Sequence, residues 1–596
     1  MGRPSAAPSA STITRRRLLR DGAAAGALLA AGPAPLARAI GRPVRAGHVA
    51  VLGGGVGGLS AAHELVERGF KVTVYERRAL GGKARSMGVP GSARGGRRRL
   101  PGEHGMRIFP SFYSNLNETL GRIPDGTNPN GVLDNLVAAS ELGLARDGGR
   151  ENVVLPASPQ PRSEPWTLEE LRAALVGGFG QAGALAPGEA EYFAQRLMVF
   201  MSSCDARREG EWEPMSWWDF VAADRFSEEY RRVLVHSLTR QILAATADRT
   251  SARTVGLLWE AFLHNYSGRA GSGPFDRVLD APTNEAWINP WARQLRSLGV
   301  EFRLGRTVEA LALREGRIRA ARLSGPRGRE TARADWFVCA LPVERARRLW
   351  SRAILAHDPR LRRTRRLVTD WMNGIQLYLR EPTPIVHGHV FYLDSPWALS
   401  SISQAQFWHE RDFAGRYGDG SLHECISIDI GDFNTPGIIY GKPARELGRR
   451  QIKREVVSQI RAHLNDAGRD GLRRRAVESW FLDPGLVLRH GRVMRNEDPL
   501  LINTPGSLPD RPGAETAIPN LFLASDYVRV NVDVACMEGA NEAARRAVNA
   551  LLDEGGSRAE PCAVHEFYRP PEFEAMRRAD EELYRRGLPN ALDHER

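Results

Sequence analysis

Glycines with a regular spacing near the N-terminus are the clearest candidates for binding chemistry. Gly53, Gly55 and Gly58 fit the pattern GxGxxG, and Gly57 is an additional glycine beside them. In that pattern the first glycine permits a tight turn, the second lets the backbone approach a pyrophosphate, and the third allows close packing of helix and strand. Glu76, 18 residues after Gly58, is placed to accept the hydroxyls of an adenosine ribose. The spacing therefore predicts a dinucleotide-binding loop.

The elements around this loop have the order that such a site requires. His48–Leu52 is a short apolar strand, residues 59–68 continue as a helix with apolar side chains at helical spacing, and Lys71–Glu76 is a second strand. This βαβ unit points a helix N-terminus, with its free N–H groups and positive dipole, at the phosphates. The sequence thus predicts a Rossmann-type domain that opens at His48.

The segment after Glu76 distinguishes between cofactors. Residues 76–86 read ERRALGGKARS, which resembles the extended fingerprint of the flavin amine oxidase and phytoene desaturase superfamily. The resemblance implies noncovalently bound FAD rather than NAD, because plain NAD dehydrogenases lack this extension. It also implies that the following residues lie near the pyrophosphate, the ribityl chain or the flavin: Gly81, Gly82, Lys83 and Arg85.

A second part of the superfamily pattern occurs near the C-terminus. Residues 520–526 read as a strand that ends in an acid, and residues 537–544 open a helix. The resemblance implies that Asp526 binds the ribityl or pyrophosphate region and that the helix N-terminus stabilises negative charge at the flavin N1 and O2 edge. The N–H groups implied at that edge belong to Met537, Glu538, Gly539 and Ala540. Residues 307–309 resemble the segment that holds adenine in relatives, which assigns Val308 to the cofactor.

Within the superfamily, the chain most resembles carotenoid and phytoene desaturase-like proteins. The similarity rests on residues 102–113, GEHGMRIFPSFY, a segment that passes beside the flavin ring in relatives. It makes Glu103 and His104 candidate catalytic residues, with loop-fixing hydrogen bonds as the alternative for both, and it places Arg107 near flavin or substrate. Flavin N5 is the main reactive centre that the resemblance implies.

Lysine positions bear on the choice between desaturation and amine oxidation. Amine oxidases of the superfamily often use a lysine that holds a water at flavin N5, but the four lysines here, at 71, 83, 442 and 453, do not fit that device. We therefore expect hydride removal from an apolar terpenoid, polyene or lipid-like substrate, by dehydrogenation, desaturation or isomerisation. Two alternatives stay open: a secreted amine or amino-acid oxidase that produces peroxide, and a noncatalytic flavin-binding envelope protein.

Aromatic and histidine side chains are candidates for the substrate wall. Residues 212–220 and 387–392 and Trp397 offer rings for an apolar tunnel, with plain core packing as the alternative. His387 and His389 alternate on a predicted strand and could both face a cavity. Further metal ligands are missing from the pattern, so no metal site is predicted.

The strand and helix patterns predict an α/β fold. A Rossmann-type, GR2-like FAD-binding domain is expected to be interleaved with a substrate domain made of a mixed β-sheet and helices. The predicted boundaries are 48–127, 291–345 and 501–555 for the FAD-binding domain, 128–290 for a mainly helical part, 346–500 for the substrate sheet and 556–596 for a tail. Strands predicted at 300–304, 307–313, 317–323 and 336–340 would all extend the cofactor sheet.

The net charge of +13 does not indicate a nucleic-acid partner. Part of it, +5, falls within residues 1–39, and 79 of the 83 basic residues are arginine, a bias typical of coding preference rather than of a binding patch. Five cysteines without CxxC spacing indicate no zinc site and leave at least one thiol unpaired within the monomer.

The first 39 residues read as an export signal. Residues 14–20, TRRRLLR, resemble the twin-arginine motif, an Ala/Gly/Leu-rich stretch follows, and Ala37-Arg38-Ala39 is a cleavage site. We expect export to the cell envelope or the exterior, where oxygen or a quinone would accept electrons. Peripheral contact with a membrane is compatible with that location and with an apolar small-molecule substrate.

Overall fold

A five-stranded parallel sheet carries the glycine loop. The computed structural model describes residues 47–158, 164, 166–271, 273–408, 412–466, 470–473, 476–489 and 491–594, and the predicted export signal lies outside them. The strands follow the order Leu521–Leu523, Trp336–Cys339, His48–Leu52, Lys71–Glu76 and Glu301–Leu304. Residues 49–52 of the central strand are completely buried, as expected for a parallel sheet that is covered on both faces. The fold is α/β, as the sequence predicts.

Two long helices pack against this sheet and against each other. Val56–Glu67 begins directly after the glycine turn, and Met537–Glu554 begins after Cys536, whose thiol accepts a hydrogen bond from the first turn of the helix. The Asn541 amide joins the helices by donating to the Ser60 hydroxyl at 2.9 Å. These two helices, although far apart in sequence, therefore belong to one core.

A separate three-stranded antiparallel sheet lies between two strands of the parallel sheet in sequence. Its strands are Thr307–Arg314, Arg317–Gly325 and Gly328–Ala332. The expectation that all four predicted strands between 300 and 340 extend the cofactor sheet is therefore wrong for the middle two, whereas the first and last do join it. Glu315 and Gly316 have φ of 50° and 70°, as a two-residue type I′ hairpin turn requires, and such a turn returns the chain antiparallel to itself.

A seven-stranded mixed sheet forms the second layer of the molecule. Its strands follow the order Val477–Leu482, Asn373–Leu379, Glu424–Ile430, Leu399–Ser403, Gly388–Tyr392, Glu141–Ala145 and Val153–Pro156. The strands predicted at 374–379, 389–393 and 425–430 are confirmed. Residues 136–156 were expected in the mainly helical part but form strands, and two of these strands extend this sheet.

Helices supply the rest of the architecture. The remaining α-helices of six or more residues are Ser114–Gly121, Leu168–Gln181, Glu189–Ser202, Ser237–Ile242, Ala252–Tyr266, Asn289–Ser297, Arg352–His357, Arg449–Leu464 and Glu574–Arg585. Two-stranded sheets pair Ser86–Gly88 with Pro101–Glu103, Leu136–Ala138 with Arg277–Leu279, Val368–Asp370 with Leu500–Ile502, and Leu486–Arg489 with Arg492–Asn496. The last helix is tied to the helical part by Arg207, whose guanidinium donates to buried Asp580 at 3.0 Å.

The described residues contain neither a disulfide bond nor a helix suited to cross a membrane. All five cysteines lie within them, and each has a free thiol. Across the same part of the chain, no helix combines the length and the hydropathy that a membrane crossing would need.

Candidate functional site

A cavity of about 430 Å³ lies at the carboxyl ends of the parallel strands. Its lining includes residues that directly follow strands of that sheet, such as Gly53, Arg77 and Ala340. Another wall comes from the seven-stranded sheet, through His389 and Asp429. Ligands of open α/β sheets bind at this edge, so the cavity is the candidate functional site.

Most of the residues predicted from the sequence meet at this cavity. The lining contains Gly53, Gly55, Gly57, Glu76, Gly81, Gly82, Lys83, Arg85, His104, Val308, Asp526, Met537 and Ala540. Gly58, Glu103, Glu538 and Gly539 are outside it. The fold thus brings the N-terminal and C-terminal parts of the pattern to one place, although they are separated by more than 400 residues.

The glycine loop has room for a bound group at one position. Gly53 has φ of 113°, and a Cβ there would lie 2.7 Å from the carbonyl oxygen of Ala340. A Cβ at Gly57 or Gly58 would overlap a neighbouring backbone carbonyl, closer than the 3.0 Å limit of real contacts. A Cβ at Gly55 would meet nothing nearer than 3.7 Å. Packing explains the other glycines, whereas the open space at Gly55 fits a pyrophosphate that approaches the backbone.

Glu76 holds the loop in this shape. Its carboxylate accepts hydrogen bonds from the backbone N–H groups of Gly54, at 2.9 Å, and Arg78, at 2.8 Å. The second glycine pair is locked to the first, because the N–H of Gly81 donates to the carbonyl of Gly54 at 2.8 Å. Gly81 and Gly82 have φ of 99° and 57°, which glycine adopts at little cost.

Basic residues beside the loop meet an acid that sequence reasoning missed. Asp498 lies in the lining and pairs with Arg77 at 2.7 Å, Arg78 at 3.0 Å and Arg85 at 3.6 Å. Burial alone would raise its pKa, but the charges of His104 and these arginines lower the pKa of Asp498 to about 2. No local signal marks this residue, because its partners lie about 400 residues earlier in the chain.

The side chain of Lys83 also binds groups of the protein itself. Its ammonium donates to the carbonyl of Pro499 and lies 3.6 Å from the carboxylate of Glu344. Arg85 donates to the carbonyl of Gly82 at 2.5 Å. Both basic side chains therefore stand at the cavity with fixed orientation, and neither is simply solvated.

The helix that begins at Met537 contributes its first turn to the cavity, but not every predicted residue. Glu538 is fully buried on the other side, where its carboxylate accepts from the backbone N–H groups of Asn115 at 3.0 Å and Leu116 at 2.8 Å. It therefore caps the helix Ser114–Gly121, and burial raises its pKa to about 7. The Gly539 N–H bonds to the Cys536 thiol at 3.4 Å. The Ala540 N–H also donates within this turn, to the Cys536 carbonyl at 3.1 Å, so the N–H groups of Gly539 and Ala540 are not directed at the cofactor as predicted, whereas those of Met537 and Glu538 stay a prediction.

The two predicted catalytic residues have different positions. His104 lines the cavity, and its Nδ1 lies 2.6 Å from Asp483. Glu103, the last residue of the strand Pro101–Glu103, is outside the lining. Its carboxylate accepts hydrogen bonds from the backbone N–H of Thr283 and from the guanidinium of Arg107. The structure favours the loop-fixing alternative for Glu103, since the residue holds Arg107, which does line the cavity.

A histidine–carboxylate pair stands in the substrate wall. His389 is 1% exposed, its Nδ1 lies 2.5 Å from buried Asp276, and its Nε2 has no hydrogen-bond partner among the described residues. Asp429 lies nearby, and burial raises its pKa to about 6 against the charges of His104, Arg107 and His389. Asp276 and Asp429 were missed, although an acid in the apolar strand ECISIDI was a readable signal.

Aliphatic and aromatic side chains form much of the remaining wall. They are Met106, Ile108, Ile242, Leu243, Leu258, Phe262, Met372, Phe391 and Leu500. The rings of residues 212–220 belong instead to the core of the helical part, so plain packing is the right interpretation there. His387 bonds to Ser140 at 2.9 Å and is not in the lining.

Lysines and groups of metal-binding side chains are both scarce here. All four lysines are described, and Lys83 alone among them lines the cavity. Within the described residues, His, Cys, Asp and Glu side chains form no group of three or more that could hold a metal ion.

Known proteins share this sequence pattern and this fold. The model of a family described as flavin containing amine oxidoreductase matches residues 56–552. A carotenoid phi-ring synthase of Streptomyces griseus is 27% identical over 518 residues, 86% of this chain and 88% of the relative. The zeta-carotene desaturase, chloroplastic/chromoplastic, of Arabidopsis thaliana is 23% identical over 558 residues, 86% of each chain. A solved structure of putrescine oxidase bound to putrescine matches with a TM-score of 0.52 at 13% identity, covering 85% of this chain and 98% of that one; this likeness shows the fold alone.

Proposed function

The chain belongs to the flavin containing amine oxidoreductase family, and we propose that it is an FAD-dependent enzyme that removes hydride from an apolar terpenoid, polyene or lipid-like substrate. It is a flavin oxidoreductase with carotenoid desaturase-like relatives. One observation supports the finer proposal: the cavity has a polar end at the glycine loop and Glu76, and aliphatic and aromatic side chains form much of the remaining wall. A polyene has no charged group to pair, and such a wall offers apolar surface in which to bury it.

The polar end fits FAD. Gly55 leaves the loop backbone open to a pyrophosphate, and Glu76 stands where it would accept ribose hydroxyls. Val308, Asp526 and the helix N-terminus at Met537 line the same cavity and would contact the adenine, the ribityl chain and the flavin. When bound, the flavin supplies a two-electron acceptor for a C–H hydride. The apolar wall must exclude water and hold the C–H bond in place.

Formation of a C=C bond also releases a proton, and the wall contains an acceptor for it. His389 has an unpartnered Nε2, and Asp276 on its Nδ1 fixes the ring and would stabilise the imidazolium. An isomer of unchanged mass would require the hydride to return to the substrate as well as the proton from His389 to another carbon, so the same residue would serve each of the proposed reaction types.

Amine oxidation is supported less well. The likeness to putrescine oxidase extends to the fold, whereas Lys83 at this cavity is bound to Pro499 and Glu344 rather than free to hold a water. A noncatalytic flavin-binding role is disfavoured by the pair of His389 and Asp276 in the cavity wall.

Export and electron acceptor complete the proposal. The twin-arginine pattern of residues 14–20 supports export of a folded, cofactor-loaded protein to the envelope or the exterior. Oxygen or a quinone would then regenerate the flavin, because NAD(P)H is not available there.

Product analysis tests this proposal. FAD-loaded protein is incubated with a polyene panel in detergent micelles, with a soluble quinone, and the pigments are analysed by mass spectrometry and absorbance. We expect a product that has lost two hydrogens, with absorption at longer wavelength, or an isomer of unchanged mass. Peroxide release with amines and no change in any polyene would support the amine oxidase instead, and no turnover with either would support a noncatalytic role.

A further inference from the structure

A buried histidine in the wall of the cavity has one ring nitrogen without a partner. His389 lies in the strand Gly388–Tyr392, where it is paired with Leu142 and Ile402 of the two neighbouring strands. The residue lines the cavity, and its Nε2 forms no hydrogen bond with any described residue. A buried polar atom that is left unpaired costs free energy, because it has lost its hydrogen bonds to water. We therefore expect a bound molecule to supply the partner of Nε2.

The carboxylate of Asp276 determines which kind of partner fits. It is buried and lies 2.5 Å from Nδ1 of His389. Because a carboxylate accepts, Nδ1 of the neutral ring carries the proton and Nε2 keeps a lone pair. The chain around Asp276 is held in place, since its carbonyl accepts from the N–H of Ala139 at 3.0 Å and the guanidinium of Arg277 donates to the carbonyl of Phe109 at 3.0 Å. Nε2 is therefore an acceptor with a fixed direction.

A second buried histidine shows which features distinguish His389. His463 is also 1% exposed, and its Nε2 likewise has no partner in the part of the chain that the structure describes. Its Nδ1, however, lies 2.7 Å from the backbone carbonyl of Gln459 rather than from an acid, and the residue is outside the cavity lining. An unpaired ring nitrogen alone is thus compatible with plain packing. His389 differs because it combines an acid on one nitrogen with a cavity beside the other.

The surroundings of His389 favour a ligand that is mostly apolar. Phe391, the next residue on the same face of the strand, also lines the cavity. The nearby polar side chains already have protein partners, since His104 bonds to Asp483 and the carboxylate of Asp429 accepts from the N–H of Met106 at 2.9 Å.

A hydrocarbon fills such a wall but offers Nε2 only C–H groups, which are very weak donors. A polyol would bury several hydroxyl groups against apolar side chains without partners. A single hydroxyl group on an apolar body satisfies both the nitrogen and the wall.

We propose that His389 and Asp276 form the binding site for the hydroxyl group of an apolar alcohol, and that the enzyme oxidises this alcohol to a carbonyl compound. The hydroxyl group donates to Nε2 of His389, and the hydrocarbon body packs against the wall around Phe391. This activity goes beyond the proposed function. The hydroxyl site rests on the two residues alone, and the oxidation rests in addition on the flavin of the family.

The oxidation balances with the groups at hand. The carbinol carbon loses its hydride to the flavin, which is the two-electron acceptor, and the O–H proton passes to Nε2 of His389 as the C=O bond forms. The alcohol is thereby oxidised and the flavin reduced. The carboxylate of Asp276 stabilises the imidazolium, which donates to the carbonyl oxygen of the product. The same nitrogen thus binds the alcohol as an acceptor and the product as a donor.

Paired ligands that differ by one hydroxyl group test the binding site without turnover. The flavin-loaded protein is immobilised and reduced beforehand without oxygen, so that it cannot oxidise an alcohol, and the ligand that it retains from detergent micelles is measured. The pairs are β-cryptoxanthin with β-carotene and farnesol with farnesene. We expect at least one alcohol to bind about tenfold more tightly than its hydrocarbon. Equal binding within both pairs would overturn the proposal.

Three variants connect this preference to the histidine. His389→Phe removes the acceptor but keeps a ring, so the preference for the alcohol should disappear while the hydrocarbon still binds. The amide of Asp276→Asn can donate to Nδ1, which places the ring proton on Nε2; this variant should lose the preference for the alcohol and still bind the carbonyl compound. His463→Phe is the matched control and should bind like the wild type.

The two variants at the site also guard against a folding defect. His389→Phe leaves the carboxylate of Asp276 buried without its partner, which is destabilising, whereas Asp276→Asn keeps a hydrogen-bonded pair. Flavin absorbance and melting temperature show which variants are folded, and Asp276→Asn decides alone if His389→Phe is not. A preference for the alcohol that survives in the folded variants would overturn the proposal.

Product analysis separates this proposal from the proposed function. The oxidised, flavin-loaded enzyme is incubated with the same pairs and a soluble quinone, and the products are treated with hydroxylamine, which reacts with a carbonyl group but not with a new C=C bond. We expect an alcohol to give a product that has lost two hydrogens and forms an oxime. Conversion of the hydrocarbons alone would overturn the alcohol oxidation and leave the proposed function standing. Conversion of an alcohol to a carbonyl compound without any change in the hydrocarbons would support the oxidation and refute the proposed function.

Discussion

Glycine-to-alanine substitutions separate the glycines that pack the fold from the one that leaves room for a cofactor. At Gly57 an added methyl group would overlap the carbonyl oxygen of Ala524, well inside the 3.0 Å limit, while at Gly55 its nearest neighbour would be the Cα of Gly82 at 3.7 Å. Both substitutions add the same atoms, only two residues apart. We expect Gly57→Ala to damage the apoprotein and Gly55→Ala to damage cofactor binding.

The magnitudes follow from the contacts. At Gly57, in the first turn of a helix, overpacking costs about 1–3 kcal/mol, and the better helix propensity of alanine offsets at most about 1 kcal/mol. At Gly55 the backbone has a φ of −77°, which alanine also adopts. Alanine is a poorer N-cap than glycine and so destabilises the helix, but it also lowers the entropy of the unfolded chain and so stabilises the fold. Each effect is below about 1 kcal/mol, and the two nearly cancel. The Gly55 methyl group instead occupies the space under the pyrophosphate, and we expect FAD affinity to fall about tenfold or more.

Two measurements on each purified variant check this separation. Apoprotein unfolding is followed by circular dichroism, and FAD affinity is followed by the quenching of flavin fluorescence on titration. Gly178→Ala is the control, because it lies exposed in a helix with nothing within 4 Å of the added atom. Wild-type FAD affinity in Gly55→Ala would refute the assignment of this loop to the cofactor. Wild-type apoprotein stability in Gly57→Ala would refute the packing argument.

Three further predictions concern the acids and the histidine of the cavity. Burial raises the pKa of the Asp429 carboxyl from 3.8 to about 6, so its contribution to the free energy of unfolding is complete below about pH 4 and is lost as the pH rises through 6. We expect Asp429→Asn to remove this loss of stability, which amounts to up to about 3 kcal/mol. Melting temperatures of the wild type and the variant, measured between about pH 4 and 7, check this expectation. His389→Gln should lower kcat for a polyene about a hundredfold or more with KM little changed, and should abolish the limb of the pH–rate profile that a base produces; an unaltered profile would exclude the pair with Asp276 as base. Glu76→Gln leaves one acceptor oxygen for two backbone N–H groups. We expect FAD affinity, measured by fluorescence titration, to fall about tenfold, while kcat at saturating FAD stays the same. An equal loss of kcat would contradict a role of Glu76 in FAD binding alone.

The parts of the fold that sequence reasoning reached are the local ones. The strand His48–Leu52, the glycine turn and the helix after it follow from periodicity and from the stereochemistry of glycine, both of which act over a few residues. The incorrect placement of residues 307–323 in the cofactor sheet shows that local patterns do not predict which strands pair. Its hairpin turn at Glu315 and Gly316 was readable, but strand alternation alone does not say which sheet a strand joins.

The parts that sequence reasoning missed are contacts between distant segments. His389 was a candidate from its strand position, yet its partner Asp276 lies 113 residues earlier, and no spacing rule connects them. Asp498 bonds to Arg77 and Arg78, which lie 421 and 420 residues earlier in the chain. A single sequence contains no information on such pairs beyond residue type, so the catalytic end of the site was predicted less completely than the cofactor end.

Anaerobic reduction of the bound flavin tests the central claim most directly. FAD-loaded protein is mixed without oxygen with detergent-dispersed polyenes in one series and with amines and amino acids in another, and the flavin absorbance is followed in time. The account predicts that a polyene bleaches the flavin and that His389→Gln, with the same FAD content, bleaches it more slowly. Bleaching by amines alone would contradict the account.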